Sequence, residues 1–151
     1  MDQKKFNVSL ELVENYLFKI DFGDFGTFMT DEPEPLGSGE GPGPSALLGA
    51  SVANCLAASL LFAIRKFKED PGEVSATCEG VIERLDGRWK IVTLNVDVRL
   101  GANADTLSHI DRALEQFEDF CVVTQSVRQG IDVNVSVFDG GGEQVKGTDH
   151  V

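Results

Sequence analysis

Between Glu40 and Arg65 the chain carries no charged side chain. No other feature limits the fold as much. Residues 44–67 read as one long helix. Gly43 precedes Pro44, whose missing N–H costs nothing in a first helical turn. Arg65, Lys66 and Lys68 fall in the last turn, where the helix dipole favours cations, and Pro71 cannot continue the helix. Residues 46–64 are nearly long enough to span a bilayer. Gly49, Ser51, Asn54 and Ser59 dilute the run, however, and the rest of the chain needs a core. A helix apolar on nearly all sides then reads as the buried helix of a soluble protein, with no membrane partner. Small residues recur every four positions, at Ala46, Ala50, Asn54 and Ala58, with Gly49, Ala53 and Ala57 beside them. Such a face packs on a sheet or admits another helix closely. The chain has no second helix like it, so a second copy is an attractive partner.

The segments on either side of this helix read as strands and shorter helices. "FNVSLEL" alternates Phe6, Val8, Leu10 and Leu12 with polar residues, and "YLFKIDF" places Tyr16, Phe18, Ile20 and Phe22 on one face. With a turn at Glu14-Asn15, another at "FGDFG" and a short strand "TFMT", this predicts a three-stranded antiparallel meander. Residues 31–43 form a surface loop rich in Gly, Pro and acids. They are not read as a domain linker, because about 35 residues of meander make a poor domain alone. After the helix, "EVSATCEGVIERL" and "WKIVTLNVDVRL" are joined through Asp86-Gly87, a strong hairpin signal. In the second strand Val92, Leu94, Val96, Val98 and Leu100 are expected to point inward. Residues 103–120 predict an amphipathic helix with a stripe of Leu107, Ile110, Leu114, Phe117 and Cys121. A short helix over 121–129 ends at Gly130, a suitable C-terminal cap. The last strand covers 131–138, and residues 140–151 read as a flexible tail. The order is βββ–α–ββ–αα–β, a single α+β domain over 1–151 with one dominant helix packed on antiparallel sheet.

Composition narrows the function by exclusion. With 151 residues and 42% apolar side chains, one domain can bury a full core. Thirteen basic against 25 acidic residues give a net charge of −12, which disfavours nucleic acid and anionic membrane surfaces. Three cysteines without close pairing give no zinc motif, so neither a metal nor a cofactor is expected. The N-terminus has no apolar signal core, which makes a reducing cytoplasm the default. "GSGEGPGP" lacks the Lys-Ser/Thr of a phosphate-binding loop.

The cysteines are the remaining candidates for chemistry. Cys78 alternates with Val74, Ala76 and Ile82 and reads as an inert core thiol. Cys55 lies mid-helix, where core packing is the simpler reading unless a cation or hydrogen-bond donor stands near it. Cys121 begins a helix, whose free N–H groups stabilise a thiolate, yet it also continues an apolar stripe. If these two sulfurs meet, they suggest a redox pair: one thiolate becomes a sulfenic acid, and the other thiol condenses with it to a disulfide. His109 and His150 read as solvated, with no motif placing either near a cysteine.

The segment "GPGPSALLGASVANC" resembles the helix start and first cysteine of the OsmC/Ohr family, with Cys55 eleven positions after Pro44. "FEDFCVVTQSVRQGIDVNVSV" is similar to that family's second-cysteine helix and final strand. The element order also corresponds, so the resemblance covers about residues 6–138. It implies an intertwined homodimer whose two long helices pack centrally, wrapped by sheets containing strands of both chains. It also implies thiol-dependent reduction of hydrophobic organic hydroperoxides, with a dithiol as reductant. Carried over, Cys55 is the peroxidatic thiol and Cys121 the resolving one. Three positions depart from the peroxidase pattern. Ser45 stands where a Glu follows the Pro, no Arg precedes Arg65, and Val122 replaces a Pro after the second cysteine. Lys19 is a substitute cation only in charge, because it lies on the strand face opposite Phe18 and Ile20. Two other readings stand beside this one: a module that binds a small apolar ligand in the dimer-interface pocket without turnover, and a structural dimer in which both cysteines only pack.

Overall fold

The computed structural model describes residues 2–147. The meander forms as expected, from β1 (Ser9–Glu14), β2 (Leu17–Asp21) and β3 (Thr27–Thr30), all antiparallel. Its register follows the alternation: Leu10 pairs with Ile20 and Ile20 with Phe28, while Leu12 pairs with Phe18 and Phe18 with Thr30. The apolar residues therefore share one face. Within this chain that face is largely open, since Ile20 is buried while Leu10, Leu12, Phe18 and Phe28 are exposed.

The loop 31–43 is organised around one carboxylate. Asp31 is 3% exposed and accepts hydrogen bonds from the N–H groups of Glu32, Ser38 and Glu40. Helix α1 (Pro44–Lys66) follows, with Gly43 as N-cap, Pro44 in its first turn and Arg65 and Lys66 in its last. It is long and apolar enough to cross a membrane by length and composition, but it is packed as a core helix. Leu60, Ala63 and Ile64 bury against Leu107 and Ala113, and Val52 and Leu56 bury against Cys121. Burying a side chain the size of Leu or Ile contributes about 1.5–3 kcal/mol, so this one helix carries much of the core. The small residues of α1 split between two faces. Gly49 and Ala53 are buried, whereas Ala46, Ala50, Asn54 and Ala58 lie along a line open to solvent.

Strands β4 (Val74–Leu85) and β5 (Arg88–Leu100) form a long hairpin through Asp86-Gly87, where both residues have positive φ, 51° and 78°. Leu94, Val96, Val98 and Leu100 face inward as predicted. Val92 does not. The pairing passes from Val81–Thr93 to Ile82–Ile91, leaving Val92 as the extra residue of a bulge, 40% exposed. A bulge reverses the alternation beyond it, so Ile91 takes the inward position. Cys78 faces α1, but it is half-buried and sits outside the fully buried core.

The predicted helix over 103–120 is divided. Residues Ala104–Thr106 make a 3-10 turn, α2 covers Ile110–Gln116, and Phe117–Phe120 is a second 3-10 turn. Ala113 takes the buried place against α1, and Leu114 is displaced to the flank, 47% exposed. Two helices approach closely where one offers a small residue, and Ala113 meets Leu60, Ala63 and Ile64 at that point. His109 is not simply solvated: its ring stacks on Phe67 with centroids 4.6 Å apart, and Nδ1 lies 2.9 Å from Glu69 Oε1. His150 lies outside the described residues.

Helix α3 (Val122–Gln129) ends at Gly130, with φ 78°. The predicted final strand shrinks to β6 (Ser136–Phe138), and β7 (Gln144–Gly147) pairs antiparallel with it. The glycines after Asp139 thus make a hairpin turn within the stretch 140–151 read as a tail; residues 148–151 of that stretch lie outside the described residues. Among the described residues the sheets are separate: β1-β2-β3, β4-β5 and β6-β7.

Candidate functional site

Cys121 is placed by a change of backbone direction. The 3-10 turn Phe117–Phe120 ends on it, with its N–H donating to the Glu118 carbonyl at 3.1 Å. It is then the N-cap of α3, in extended conformation at φ −84° and ψ 91°, and its own carbonyl accepts from the Gln125 N–H at 3.0 Å. Its side chain turns back beneath the helix and is fully buried against Val52 and Leu56 of α1. Cys55, one helical turn from Val52, packs into the same cluster and is half-buried. The two thiols pack against each other in this cluster, and each bears on the ionisation of the other. Both are free cysteines in this structure.

The surroundings treat the two sulfurs differently. Burial pushes the Cys121 thiol up. Hydrogen bonds with the side chains of Cys55, Thr124 and Ser59 and with the Thr124 N–H outweigh burial and hold it below the ordinary thiol value. One of these is tight: the Cys121 thiol donates to Thr124 Oγ1 at 2.8 Å. For Cys55, burial is again the largest influence, and the hydrogen bond and charge of Cys121 add to it. The N–H groups of Val123 and Thr124 oppose both without reversing them, so Cys55 is raised. The first-turn amides of α3 thus point at the pair as a whole, where a helix N-terminus favours negative charge.

Beside the thiols is a cleft of about 700 Å³ with a mixed lining, apolar at Val52, Leu56 and Phe117 and polar at Asn95, Asp97 and Arg128. Neither Cys55 nor Cys121 lines it. Thr124 borders both the cleft and the Cys121 sulfur. At the rim, Arg128 and Glu118 form an ion pair at 2.6 Å. The small chamber around Cys78, about 470 Å³, is a separate space bounded by Ser45, Gly49 and Ala53. Ser45, which stands where the peroxidase pattern has Glu, therefore lies beside Cys78.

Sequence reasoning identified Cys55 and Cys121 but not Thr124 or Ser59. A signal for Thr124 was present: it follows an N-cap residue by three positions, the spacing at which an N-cap side chain meets the helix. Ser59 is four residues beyond Cys55 and so shares its helix face.

A family model described as OsmC-like protein matches residues 37–136. Solved structures share the fold. An OsmC-like protein from Mycoplasma pneumoniae is 17% identical, covering 86% of this chain and 91% of its own, with a TM-score of 0.67. An organic hydroperoxide resistance protein OsmC from Legionella pneumophila is 17% identical, with 87% and 95% of the two chains covered and a TM-score of 0.61. An organic hydroperoxide resistance protein from Elizabethkingia anophelis is 18% identical, with 87% and 94% covered and a TM-score of 0.60. No curated relative matches the sequence.

Proposed function

Given that the chain belongs to the OsmC-like family, we propose that it reduces organic hydroperoxides, with Cys55 and Cys121 as its working thiols. The observation that carries this reading is the packing of Cys55 and Cys121 into one cluster at the N-terminus of α3, beside a cleft. Cys55 is the more accessible thiol and takes the peroxide oxygen, becoming a sulfenic acid. Cys121 then condenses with it to a disulfide. A dithiol reductant reopens that bond by exchange. Two of the similar structures are named for organic hydroperoxide resistance, which agrees with this chemistry.

The reading includes an intertwined homodimer in a reducing cytoplasm. Its support is the apolar surface left open in one chain: the meander face of Leu10, Leu12 and Phe28, and the line of Ala46, Ala50, Asn54 and Ala58 on α1. Contiguous apolar surface of this kind marks an interaction site.

A non-catalytic module that holds a small apolar ligand is the second reading. The cleft favours it, as does the absence of the Glu and Arg expected of a peroxidase.

Peptide mapping separates the two. The reduced protein is treated with one equivalent of cumene hydroperoxide, quenched with an alkylating agent and digested without reductant. A Cys55–Cys121 linked peptide formed within seconds supports the peroxidase. Two alkylated, unlinked cysteines overturn it and favour the binding module. Cys55→Ser abolishes peroxide consumption under the first reading and leaves ligand affinity nearly unchanged under the second.

A further inference from the structure

We propose that Thr124 is a positioning residue that holds Cys121 as the charged member of the thiol pair, so that Cys121 first takes the proton of Cys55, then passes it to the departing alkoxide, and finally closes the disulfide. This rests on the reading of Cys55 and Cys121 as the working thiols and supplies what that reading lacks, an activating group.

The need arises from the sequence. Cys55 has no Arg available from the N-terminal strands and no Glu after Pro44. A half-buried thiol facing a second sulfur is a poor nucleophile unless its proton has somewhere to go. Among the described residues, the acceptor packed against it is Cys121. Cys121 is fully buried, and Thr124, only 5% exposed, sets its hydroxyl 2.8 Å from the sulfur. Ser59 approaches from α1, and the first turn of α3 supplies the N–H of Thr124. The neutral thiol donates to Thr124 Oγ1; once the sulfur is charged the same hydroxyl turns to donate to it, and with no competing water that bond favours the thiolate. The titratable group facing it is Cys55, from α1. The residues that β5 brings to the cluster, Leu94, Val96 and Val98, are apolar. In the preceding turn and in α3, Glu118 and Arg128 are engaged with each other.

The pair then holds one proton and one negative charge. Cys55 gives its S–H proton to Cys121. The Cys55 sulfur attacks the terminal peroxide oxygen, the O–O bond breaks, and the alkoxide leaves with the proton now on Cys121. Cys55 is a sulfenic acid and Cys121 is again a thiolate. Cys121 attacks the Cys55 sulfur, the S–S bond forms, the S–O bond breaks and hydroxide departs. Two electrons have passed from the sulfurs to the peroxide, giving one alcohol and one hydroxide. A dithiol returns the electrons by exchange.

The test uses the full chain carrying Cys78→Ser, so that only the pair titrates. Thiolate absorbance is followed against pH, and the pH profile of disulfide formation is measured with cumene hydroperoxide. The titration below the ordinary thiol range persists in Cys55→Ser, whose hydroxyl still faces Cys121, and disappears in Cys121→Ser. Thr124→Val moves both profiles upward by about one unit, about tenfold less thiolate at a given pH, and Thr124→Ser restores them. Should Thr124→Val not fold, Ser59→Ala removes another donor and moves the midpoint the same way. A low titration that survives Cys121→Ser and vanishes in Cys55→Ser overturns the proposal. So does rapid disulfide formation with a Thr124→Val profile identical to the parent, an outcome that leaves the peroxidase standing. A pair that titrates as described yet never forms the disulfide overturns the peroxidase, and the proton relay with it.

Discussion

The carboxylate of Glu69 ties the chain just beyond α1 to the turn that starts α2. It accepts the N–H of Ser108 at 2.6 Å and the N–H of His109 at 3.0 Å, while His109 Nδ1 stands 2.9 Å from the same oxygen. A carboxylate only accepts, so Nδ1 carries the proton. The contact fixes the path of the segment that ends in Cys121. Partial burial raises the Glu69 carboxyl, but the side chain of His109 and the two N–H groups outweigh it and leave the group lowered.

Glu69→Gln places an amide NH₂ among donors and is expected to lower Tm by roughly 2–4 °C at neutral pH, the shift of a lost cap in a chain of this size. The group is depressed in the folded state, so its stabilisation is present above the unfolded carboxyl range and is lost as pH falls through the folded value. The difference between parent and variant in thermal unfolding should therefore close at strongly acid pH. A gap that persists there would show that the charge of Glu69 is not what holds the turn.

Asp31 makes the same kind of prediction for the loop. The N–H of Glu40 lowers its carboxyl most, burial opposes, and the N–H groups of Glu32 and Ser38 lower it further. The sign is again that of a depressed acid: the clamp is fully held above the ordinary carboxyl range and is released only as pH falls through the lowered folded value. Asp31→Ala frees residues 32–40, which contain Glu32, Glu34 and Glu40. A glutamyl endopeptidase should cut the variant in this loop at neutral pH at least tenfold faster than the parent. Equal rates would mean that the carboxylate does not organise the loop.

Gly49 and Cys78 form a tight contact between α1 and β4. A Cβ placed on Gly49 meets Cys78 Sγ at 3.3 Å, closer than side chains comfortably pack. Replacing a mid-helix Gly by Ala otherwise stabilises by about 0.8–1 kcal/mol. In a double-mutant cycle, Gly49→Ala should stabilise the Cys78→Ala background by roughly that amount and the parent by clearly less. Equal effects in urea unfolding would show that Cys78 yields without cost.

Much of this architecture can be read from the sequence because it is governed by local signals. The proline, the terminal cations and the uncharged run define α1, Asp86-Gly87 defines the long hairpin, and alternation gives the meander register. What could not be read depends on a neighbour. Val92 leaves the inward face because a bulge interrupts the period, and nothing in "KIVTLNV" marks it. Leu114 yields to Ala113 because α1 lies too close for a larger side chain. Residues 131–135 alternate like a strand, yet β6 covers only Ser136–Phe138, a boundary that alternation does not mark. At the site, Cys55 and Cys121 were visible as residue types. That they face each other depends on how α3 is set against α1, more than 60 positions apart in sequence. Their unequal chemistry depends on Thr124 and Ser59, ordinary residues until the fold gathers them.

The meander stands nearly apart from the rest of the chain. Its strands pair with one another, and its link to the helix end is the Asp31 N–H donating to the Pro42 carbonyl, with Asn15 Nδ2 donating to the Leu36 carbonyl. Three short strands with one uncovered apolar face have little cohesion of their own. Under the homodimer reading, association and completion of the fold become one event, governed by mass action. Dilution then acts as a denaturant. The unfolding midpoint should climb with protein concentration, and amide protons in β1–β3 should exchange faster as the sample is thinned, while those of α1 and the β4–β5 hairpin hold longer.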